Sequence, residues 1–112
     1  MKTFNKIELL GNIGTEVKLE EKNDLSFVNF TVAENQTFKK KDGEKETRTQ
    51  WHQVAAYNGT AKLIAQICKK GDSVLLHGRL DISEFEDNEG KKRASYRIIV
   101  DEFTNLTPKD KE

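Results

Sequence analysis

The segment from Thr49 to Tyr57 has the alternating character of a β-strand, and it constrains the fold more than any other part of the chain. Side chains in a strand point to opposite faces with a period of two residues. One face therefore carries Trp51, Gln53, Ala55 and Tyr57, and the other carries His52, Val54 and Ala56. Two large aromatic rings among small or polar neighbours favour a surface for flat ligands over a core.

Four more segments have the apolar alternation of strands. They are predicted at residues 4–13, 27–34, 73–85 and 94–105, with a short extended piece at 17–19 and a polar turn at 20–24. The predicted inward-facing residues of the later strands are Val28, Phe30, Val32, Val74, Leu76, Leu80, Ile82, Tyr96, Ile98 and Val100. Gly78 lies where a bend or bulge is expected, and Asp42-Gly43 marks a charged hairpin turn.

One helix is predicted between the third and fourth strands, with an apolar stripe formed by Leu63, Ile64, Ile67 and Cys68. Capping is expected from residues 58–60 at its start and from the lysines and glycine of 69–71 at its end. Three strands, a helix and two strands are the element order of the OB-fold, a five-stranded Greek-key barrel; a split barrel of another type has a similar layout. We predict a mainly β protein, with an OB-fold domain at residues 1–106 and a short disordered end at 107–112.

Four aromatic rings are placed for contact with a ligand. Trp51 and Tyr57 share one face of the third strand, about 20 Å apart along it at roughly 3.3 Å per residue. Phe85 lies on the polar face of its strand, and Phe38 stands at the base of the charged hairpin. Any single ring is as consistent with a barrel edge or a dimer interface, but four such rings favour a binding surface.

Basic residues interleave with these rings, although the chain has no net charge because 19 Lys and Arg balance 19 Asp and Glu. The candidate phosphate-binding residues are Lys39, Lys40, Lys41, Arg48, Lys62 and Arg79. A lysine-rich hairpin tip alone is typical of any solvated loop. Beside exposed rings, the same cations match the needs of a nucleic-acid strand, which are positive charge for phosphates and π-faces for bases.

The sequence shows no pattern for catalysis, metal binding or cofactor binding. His52, His77 and Cys68 are the only His and Cys residues, and they lack the spacing of metal ligands. His52 is expected to be a structural residue on the core side, and Cys68 a small core residue. Neither a glycine-rich phosphate loop nor a nucleophile elbow is present. We therefore predict a protein that is not an enzyme and uses no cofactor or metal.

The sequence favours a cytoplasmic protein. No apolar run approaches the roughly 20 residues needed to cross a bilayer, and residues 1–6 lack the apolar segment of a secretory signal. The single cysteine excludes an internal disulfide, as is typical of a reducing compartment.

With these features in place, the chain resembles the bacterial single-stranded DNA-binding proteins over nearly its whole length. Residues 5–19 (NKIELLGNIGTEVKL) are similar to the opening strand and its Gly-Asn-Leu-Gly turn. Residues 28–71 resemble the second strand, the basic hairpin, the Trp-His strand and the helix, and residues 72–102 resemble the long strand and last hairpin. The Thr-Glu-Trp-His pattern of the family appears as Thr49-Gln50-Trp51-His52.

The resemblance implies a protein that protects single-stranded DNA in replication, recombination and repair, without reading its sequence. It implies base stacking at Phe38, Trp51, Tyr57 and Phe85, with lysines contacting phosphates. It also implies a homotetramer in which the first strand pairs between subunits, and His52 lies in the segment that resembles part of that interface. The protein would then be cytoplasmic and associated with the nucleoid.

The sequence departs from the family in three respects. Phe38 and Phe85 stand where many relatives have tryptophan, which reduces the stacking area. Asp81, Ser83 and Glu84 replace a segment that is often basic, so weaker attraction for phosphates is expected there. Many relatives continue into a flexible linker and an acidic tip that recruits repair and replication enzymes. This sequence ends without either, so recruitment of those enzymes stays open.

Two other functions stay open. An OB-fold that kept its oligomer interface but serves as a primosome-like adaptor would suit the neutral net charge and the acidic residues around Phe85. An RNA-binding OB domain is the third possibility, because a stacking platform alone does not exclude RNA.

Overall fold

The computed structural model describes residues 2–107, which form six strands and one helix. In chain order these are β1 (Ile7–Ile13), β2 (Glu20–Lys22), β3 (Leu25–Lys39), β4 (Lys45–Tyr57), α1 (Asn58–Ile67), β5 (Ser73–Glu86) and β6 (Lys92–Asn105). The strands are hydrogen-bonded in the order β1-β5-β6-β4-β3-β2, and a further pairing of β1 with β3 closes five of them into a barrel. β4 and β6 run parallel, and the other pairs are antiparallel.

This is the predicted OB-fold, with its helix between the third and fourth barrel strands. β2 is an addition, because it pairs with the start of β3 where the sequence predicts a polar turn. The turn itself is reduced to Asn23 and Asp24, whose φ angles are 52° and 65°. Positive φ at two successive residues, with Asn or Asp there, is typical of a tight hairpin turn. The predicted extended piece at 17–19 lies outside every strand.

The core fills the barrel and continues beneath the helix. Its buried apolar residues are Leu9, Ile13, Val28, Phe30, Val32, Val54, Ala56, Ala61, Ile64, Cys68, Val74, Leu76, Ile98 and Val100. Ala61 and Ile64 bring α1 onto one end of the barrel, where the helix packs against β3, β4 and β6. The alternation read from β3 is confirmed, since Val28, Phe30 and Val32 are all buried.

The predicted caps at the two ends of α1 are wrong. The N-cap position is Tyr57, which makes no side-chain capping hydrogen bond, and the last turn contains no basic residue. The helix ends at Ile67, so residues 69–71 lie in the turn beyond it. The Asp72 carboxylate stabilises that turn by accepting a hydrogen bond from the backbone N–H of Lys69 (3.0 Å). The helix ends before residues 69–71 because the backbone of Cys68 is already extended, with φ −114° and ψ 144°.

Only half of the predicted apolar stripe of α1 faces the core. Ile64 and Cys68 are buried, whereas Leu63 and Ile67 are about half exposed. The outer edge of the stripe, formed by Leu63 and Ile67, therefore remains in contact with solvent.

Both long hairpins extend beyond the barrel. β1 pairs with β5 only as far as Gly78, and with β3 only at Asn12 and Ile13. Beyond those points, and beyond the pairing of β4 with Ile98 and Ile99, the hairpins continue as two arms, the first arm at residues 34–50 and the second arm at 81–97. The radius of gyration is accordingly 16.6 Å, whereas a compact chain of this length has about 13 Å.

The prediction that Ile82 and Tyr96 belong to the core is wrong, because both residues lie in the second arm. Alternation places Ile82 and Tyr96 inside, yet they are 52% and 57% exposed. They pair directly with each other across the arm. They lie on the face that continues the core side of the sheet, but the barrel closes before it reaches them.

β1 begins later than predicted. It starts at Ile7, and Phe4 is 89% exposed. Asn5 extends the pairing with a side chain instead of the backbone. Its amide donates to the carbonyl oxygen of Leu80 (2.8 Å) and accepts from the N–H of Leu80 (3.0 Å).

The irregularity predicted at Gly78 is confirmed. The register between β5 and β6 shifts between His77 and Gly78. A Cβ atom at Gly78 would collide with the backbone carbonyl oxygen of Ile99. Glycine is therefore required here because the two backbones approach too closely for any side chain.

The predicted disordered end, residues 107–112, falls almost entirely outside the described residues. Between residues 2 and 107, the structure has no helix with the length and apolar character of a transmembrane span.

Candidate functional site

One side of the sheet, turned away from the core, runs from β4 across β6 to β5. Trp51, Gln53 and Tyr57 point to this side because Val54 and Ala56 point into the core. Cross-strand pairs extend this side of the sheet from β4 to β6 and β5. They are Ala55 with Ile99, Ile99 with Arg79, and Arg97 with Asp81. We call the following side chains the outer face: Trp51, Gln53, Tyr57, Arg79, Asp81, Phe85 and Arg97.

Trp51 presents the largest exposed ring of the outer face. Its side chain is 60% exposed. The ring lies across Gly14, where an added Cβ atom would collide with the indole carbon Cζ3. Gly14 is itself fixed by a hydrogen bond from its N–H to the carbonyl oxygen of Thr31 (2.8 Å). The indole therefore rests against a flat piece of backbone and still offers a large surface to solvent.

Tyr57 is covered by a guanidinium group from β6. The Arg97 Cζ atom lies 5.9 Å from the centroid of the Tyr57 ring, within the range of a cation–π contact. Arg97 also donates from Nε to Oδ2 of Asp81 (3.2 Å). A second guanidinium, that of Arg79, approaches Oδ1 of the same carboxylate at 3.9 Å. Asp81 thus lies between two arginines beside a tyrosine ring.

Phe38 lies on the opposite face of the first arm from Trp51. The register pairs Phe38 with Glu46 and Trp51 with Ala33. Positions 33 and 38 of β3 are an odd number of residues apart, so their side chains, and those opposite them, point to opposite faces. Phe38 is 39% exposed, and the Arg48 guanidinium lies 5.5 Å from its ring centroid.

Phe85 lies near the far end of the second arm and is 50% exposed. Its direct partner in β6 is Arg93. Arg93 donates from Nε to Oδ2 of Asp87 (2.9 Å). This hydrogen bond, followed by one from the backbone N–H of Lys91, lowers the pKa of Asp87 from its ordinary value. The carboxylate therefore stays ionised at neutral pH and holds Arg93 beside the ring.

The predicted phosphate-binding cations fall into separate places. Lys39, Lys40 and Lys41 lie at the tip of the first arm, Arg48 beside Phe38, Arg79 on the outer face and Lys62 on α1. Two of them already have acidic neighbours, because Lys40 Nζ is 3.7 Å from Glu46 and Arg79 is 3.9 Å from Asp81. Exposed ion pairs of this kind contribute little to stability, so another anion can replace the carboxylate at small cost.

Arg97 is the residue of the outer face that the sequence analysis missed. Its partnership with Asp81 depends on the register of the last hairpin. Counting outward from a four-residue turn at 87–90 would instead place Asp81 opposite Tyr96. In the structure Asp87 pairs with Lys91, and this longer connection brings Arg97 opposite Asp81.

A groove of about 430 Å³ lies beside β1, where β1 and β3 diverge. It is lined by Ile7, Glu8, Leu9, Glu34, Trp51, His52, Gln53, Leu80, Tyr96 and Ile98. Because β1 pairs with β3 only at Asn12 and Ile13, the edge of its first half is free of β3. The groove therefore combines an unpaired strand edge with apolar side chains.

His52 is hydrogen-bonded in this groove, partly open to solvent and not enclosed in the core. Its Nε2 atom donates to Oε1 of Glu34 (2.8 Å). This bond, and a weaker one from Gln36, hold the pKa of Glu34 below its ordinary value. The carboxylate is therefore ionised at neutral pH and accepts the hydrogen bond that the imidazole N–H donates.

The described part of the chain offers little for metal or nucleophilic chemistry. No group of three or more His, Cys, Asp or Glu residues between positions 2 and 107 is placed to hold a metal ion. Cys68 is buried in the core. Burial, reinforced by the nearby charge of Asp72, raises the pKa of its thiol to about 11. The thiol is thus protonated at neutral pH, whereas nucleophilic attack requires the thiolate.

Comparison with protein families identifies relatives over almost the whole chain. The model described as "Single-strand binding protein family" matches residues 4–106. The chain is 34% identical to single-stranded DNA-binding protein 1 of Xylella fastidiosa, over 97% of this chain and 82% of that protein. It is 34% identical to the Chlorobaculum tepidum protein of the same name, over 96% and 67%. For the single-stranded DNA-binding protein of Neisseria meningitidis the identity is 30%, over 93% and 60%.

Solved structures share the fold. The chain superimposes on a Plasmodium falciparum SSB in complex with ssDNA with a TM-score of 0.83 and 25% identity, covering 96% of this chain and 98% of the other. A deletion mutant of the Thermus aquaticus single-stranded DNA binding protein gives a TM-score of 0.79 at 18% identity, covering 95% of this chain and 52% of the other.

Proposed function

This chain belongs to the single-strand binding protein family, and from that premise we propose that it binds single-stranded DNA without sequence preference and catalyses no reaction. Residues 1–106 would form the binding domain, acting in replication, recombination and repair at the nucleoid. The observation that carries the proposal is the exposed indole of Trp51, set against Gly14 in one row with Tyr57 and two arginines.

The proposed contacts have two physical roles, base stacking and phosphate contact. Stacking of bases is assigned to Trp51, Tyr57, Phe85 and Phe38, and contact with phosphates to Lys39, Lys40, Lys41, Arg48, Lys62 and Arg79. The rings accept any base because every base has a π-face. The cations neutralise phosphates, which carry no sequence information. Together these contacts give affinity without specificity, as the proposed function requires.

Titration with poly-dT tests this function. Because the chain has a single tryptophan, the fluorescence change on binding reports Trp51 alone, and quenching is expected. The logarithm of the affinity should fall with the logarithm of the salt concentration, by about 0.7 for each phosphate that a cation neutralises. Double-stranded DNA serves as the control ligand, and poly-U as a competitor. An unchanged fluorescence at low salt would contradict the proposal, and equal binding of poly-U would favour RNA.

We propose further that the protein assembles as a homotetramer, with the first strand pairing between subunits. The unpaired edge of β1 supports this arrangement, because a free edge can accept another strand. The apolar groove beside that edge would also be filled. Light scattering should give about four times the protomer mass of 12.8 kDa. A protomer mass at the highest soluble concentration would contradict this arrangement.

A protein-interaction module is the second candidate function. The half-exposed Leu63 and Ile67 on α1 favour it, because unpaired apolar side chains on one helix face suit a protein partner. The poly-dT titration separates the two functions, because an adaptor without DNA affinity would leave Trp51 fluorescence unchanged.

A further inference from the structure

We propose that Asp81 occupies the place of a DNA phosphate in the free protein, and that a bound strand displaces it from Arg79 and Arg97. This inference rests on the proposed function and deepens it. It assigns a role to Arg97, which the sequence did not single out, and makes Asp81 a residue that limits affinity.

The contacts of Asp81 are those expected of an anion in a phosphate position. Its two oxygens are shared between Arg97 Nε (3.2 Å) and the Arg79 guanidinium (3.9 Å). Asp81 and Arg97 face each other as a direct cross-strand pair. Asp81 is 31% exposed and Arg97 39%, so solvent reaches the pair. Arginine presents its donors in a planar fork that fits phosphate as well as carboxylate.

Arg97 also covers the ring on which a base would stack. Its guanidinium lies over Tyr57 at 5.9 Å from the centroid. A base stacked on that same face would need the space that Arg97 occupies. When Arg97 turns from Asp81 to a phosphate, the face of Tyr57 becomes free. One movement thus opens a stacking position and supplies a cation for the backbone.

The strength of the Asp81 contacts allows such an exchange. The approach of Arg79 at 3.9 Å is long for a hydrogen bond, and partly exposed ion pairs are weak. A phosphate that replaces the carboxylate forms charge-assisted bonds of the same kind. The carboxylate left behind then repels the bound strand. The net effect of Asp81 is therefore to lower the affinity for single-stranded DNA and the number of phosphates that are neutralised.

Asp81→Asn tests the inference, because it removes the charge and preserves the shape of the side chain. We expect an affinity for oligo-dT about fivefold higher than wild type at about 0.1 M salt, and a salt slope steeper by about 0.7, the change that corresponds to one more neutralised phosphate. Asp101→Asn is the matched control. It removes the same charge from an exposed position beside α1, and should change neither value. If Asp81→Asn does not fold, Asp81→Ser removes the charge at the same position.

The arginines provide the decisive comparison. In a protein that already carries Arg79→Gln and Arg97→Gln, adding Asp81→Asn should give no gain in affinity, because no cation is left to release. A gain that persists without both arginines, or an Asp81→Asn affinity equal to or below wild type, would overturn the inference. Failure of the proposed function looks different, because wild type and Asp81→Asn would then both fail to bind oligo-dT at low salt.

Discussion

Trp51→Ala is expected to weaken the binding of oligo-dT by about tenfold to a hundredfold while the barrel stays folded. Base–aromatic stacking contributes about 1–3 kcal/mol per base, a range that comes from single-stranded DNA-binding OB-folds themselves and not from this structure, and 1.4 kcal/mol is tenfold in affinity. The indole is 60% exposed, so its loss removes little core packing. Affinity can be followed by anisotropy of a labelled oligonucleotide, and folding by circular dichroism.

Two companion variants show whether the ring itself is responsible. Trp51→Phe keeps a smaller π-face and should lose less affinity than the alanine variant. Gly14→Ala keeps the indole but inserts a Cβ atom where Cζ3 of Trp51 now lies, so it should shift the indole emission and weaken binding. A Trp51→Ala protein with wild-type affinity would mean that DNA contacts another part of the surface.

Gly78→Ala is expected to lower the free energy of unfolding by about 3 kcal/mol or more. Overpacking of a filled interior costs about 1–3 kcal/mol when side chains can move aside. Here the obstacle is the backbone carbonyl oxygen of Ile99, which cannot move without disturbing the pairing of β5 with β6. Urea denaturation followed by far-UV circular dichroism measures the change.

Gly59→Ala is the matched control for this substitution. A Cβ atom at Gly59 meets nothing within 4 Å, and the residue lies in α1. Alanine in place of glycine inside a helix gains roughly 0.5–1 kcal/mol. The same chemical change should therefore stabilise the protein at one position and destabilise it at the other. Equal unfolding free energies for the two variants would mean that β5 and β6 are not as close as described.

The sequence was sufficient for the fold because alternation and turn signals agree along most of the chain. The buried row of β3 and the bulge at Gly78 both followed from local pattern. The exposure of Ile82 and Tyr96 did not. Alternation tells which face of a strand a side chain occupies, but not whether another layer covers that face. On this side the extent of the barrel is set by where β1 begins, at Ile7 opposite Gly78, and that pairing is a long-range property.

The candidate site was predictable residue by residue but not as an arrangement. Trp51 and Tyr57 share a face because they are six residues apart in one strand, so their relation needed only the period of two. Phe38 and Trp51 lie in different strands, and the turn between them decides whether they share a face. Arg97 depends in the same way on pairing with Asp81. Register between strands, more than residue type, limits what can be read from one sequence.

The short junction between β4 and β6 has a mechanical consequence. These strands meet at Val54–Ile98 and Ala55–Ile99 alone, whereas each hairpin is paired along nearly its whole length. β1 also joins the two hairpins, through six pairs with β5 and two with β3, so the barrel itself is held from both sides. Among residues 2–107 no strand pairing joins the first arm to the second, so the separation of the arms can change at smaller cost than the shape of the barrel. We expect this difference in stiffness to let the arms adjust to purines and pyrimidines, which differ in size.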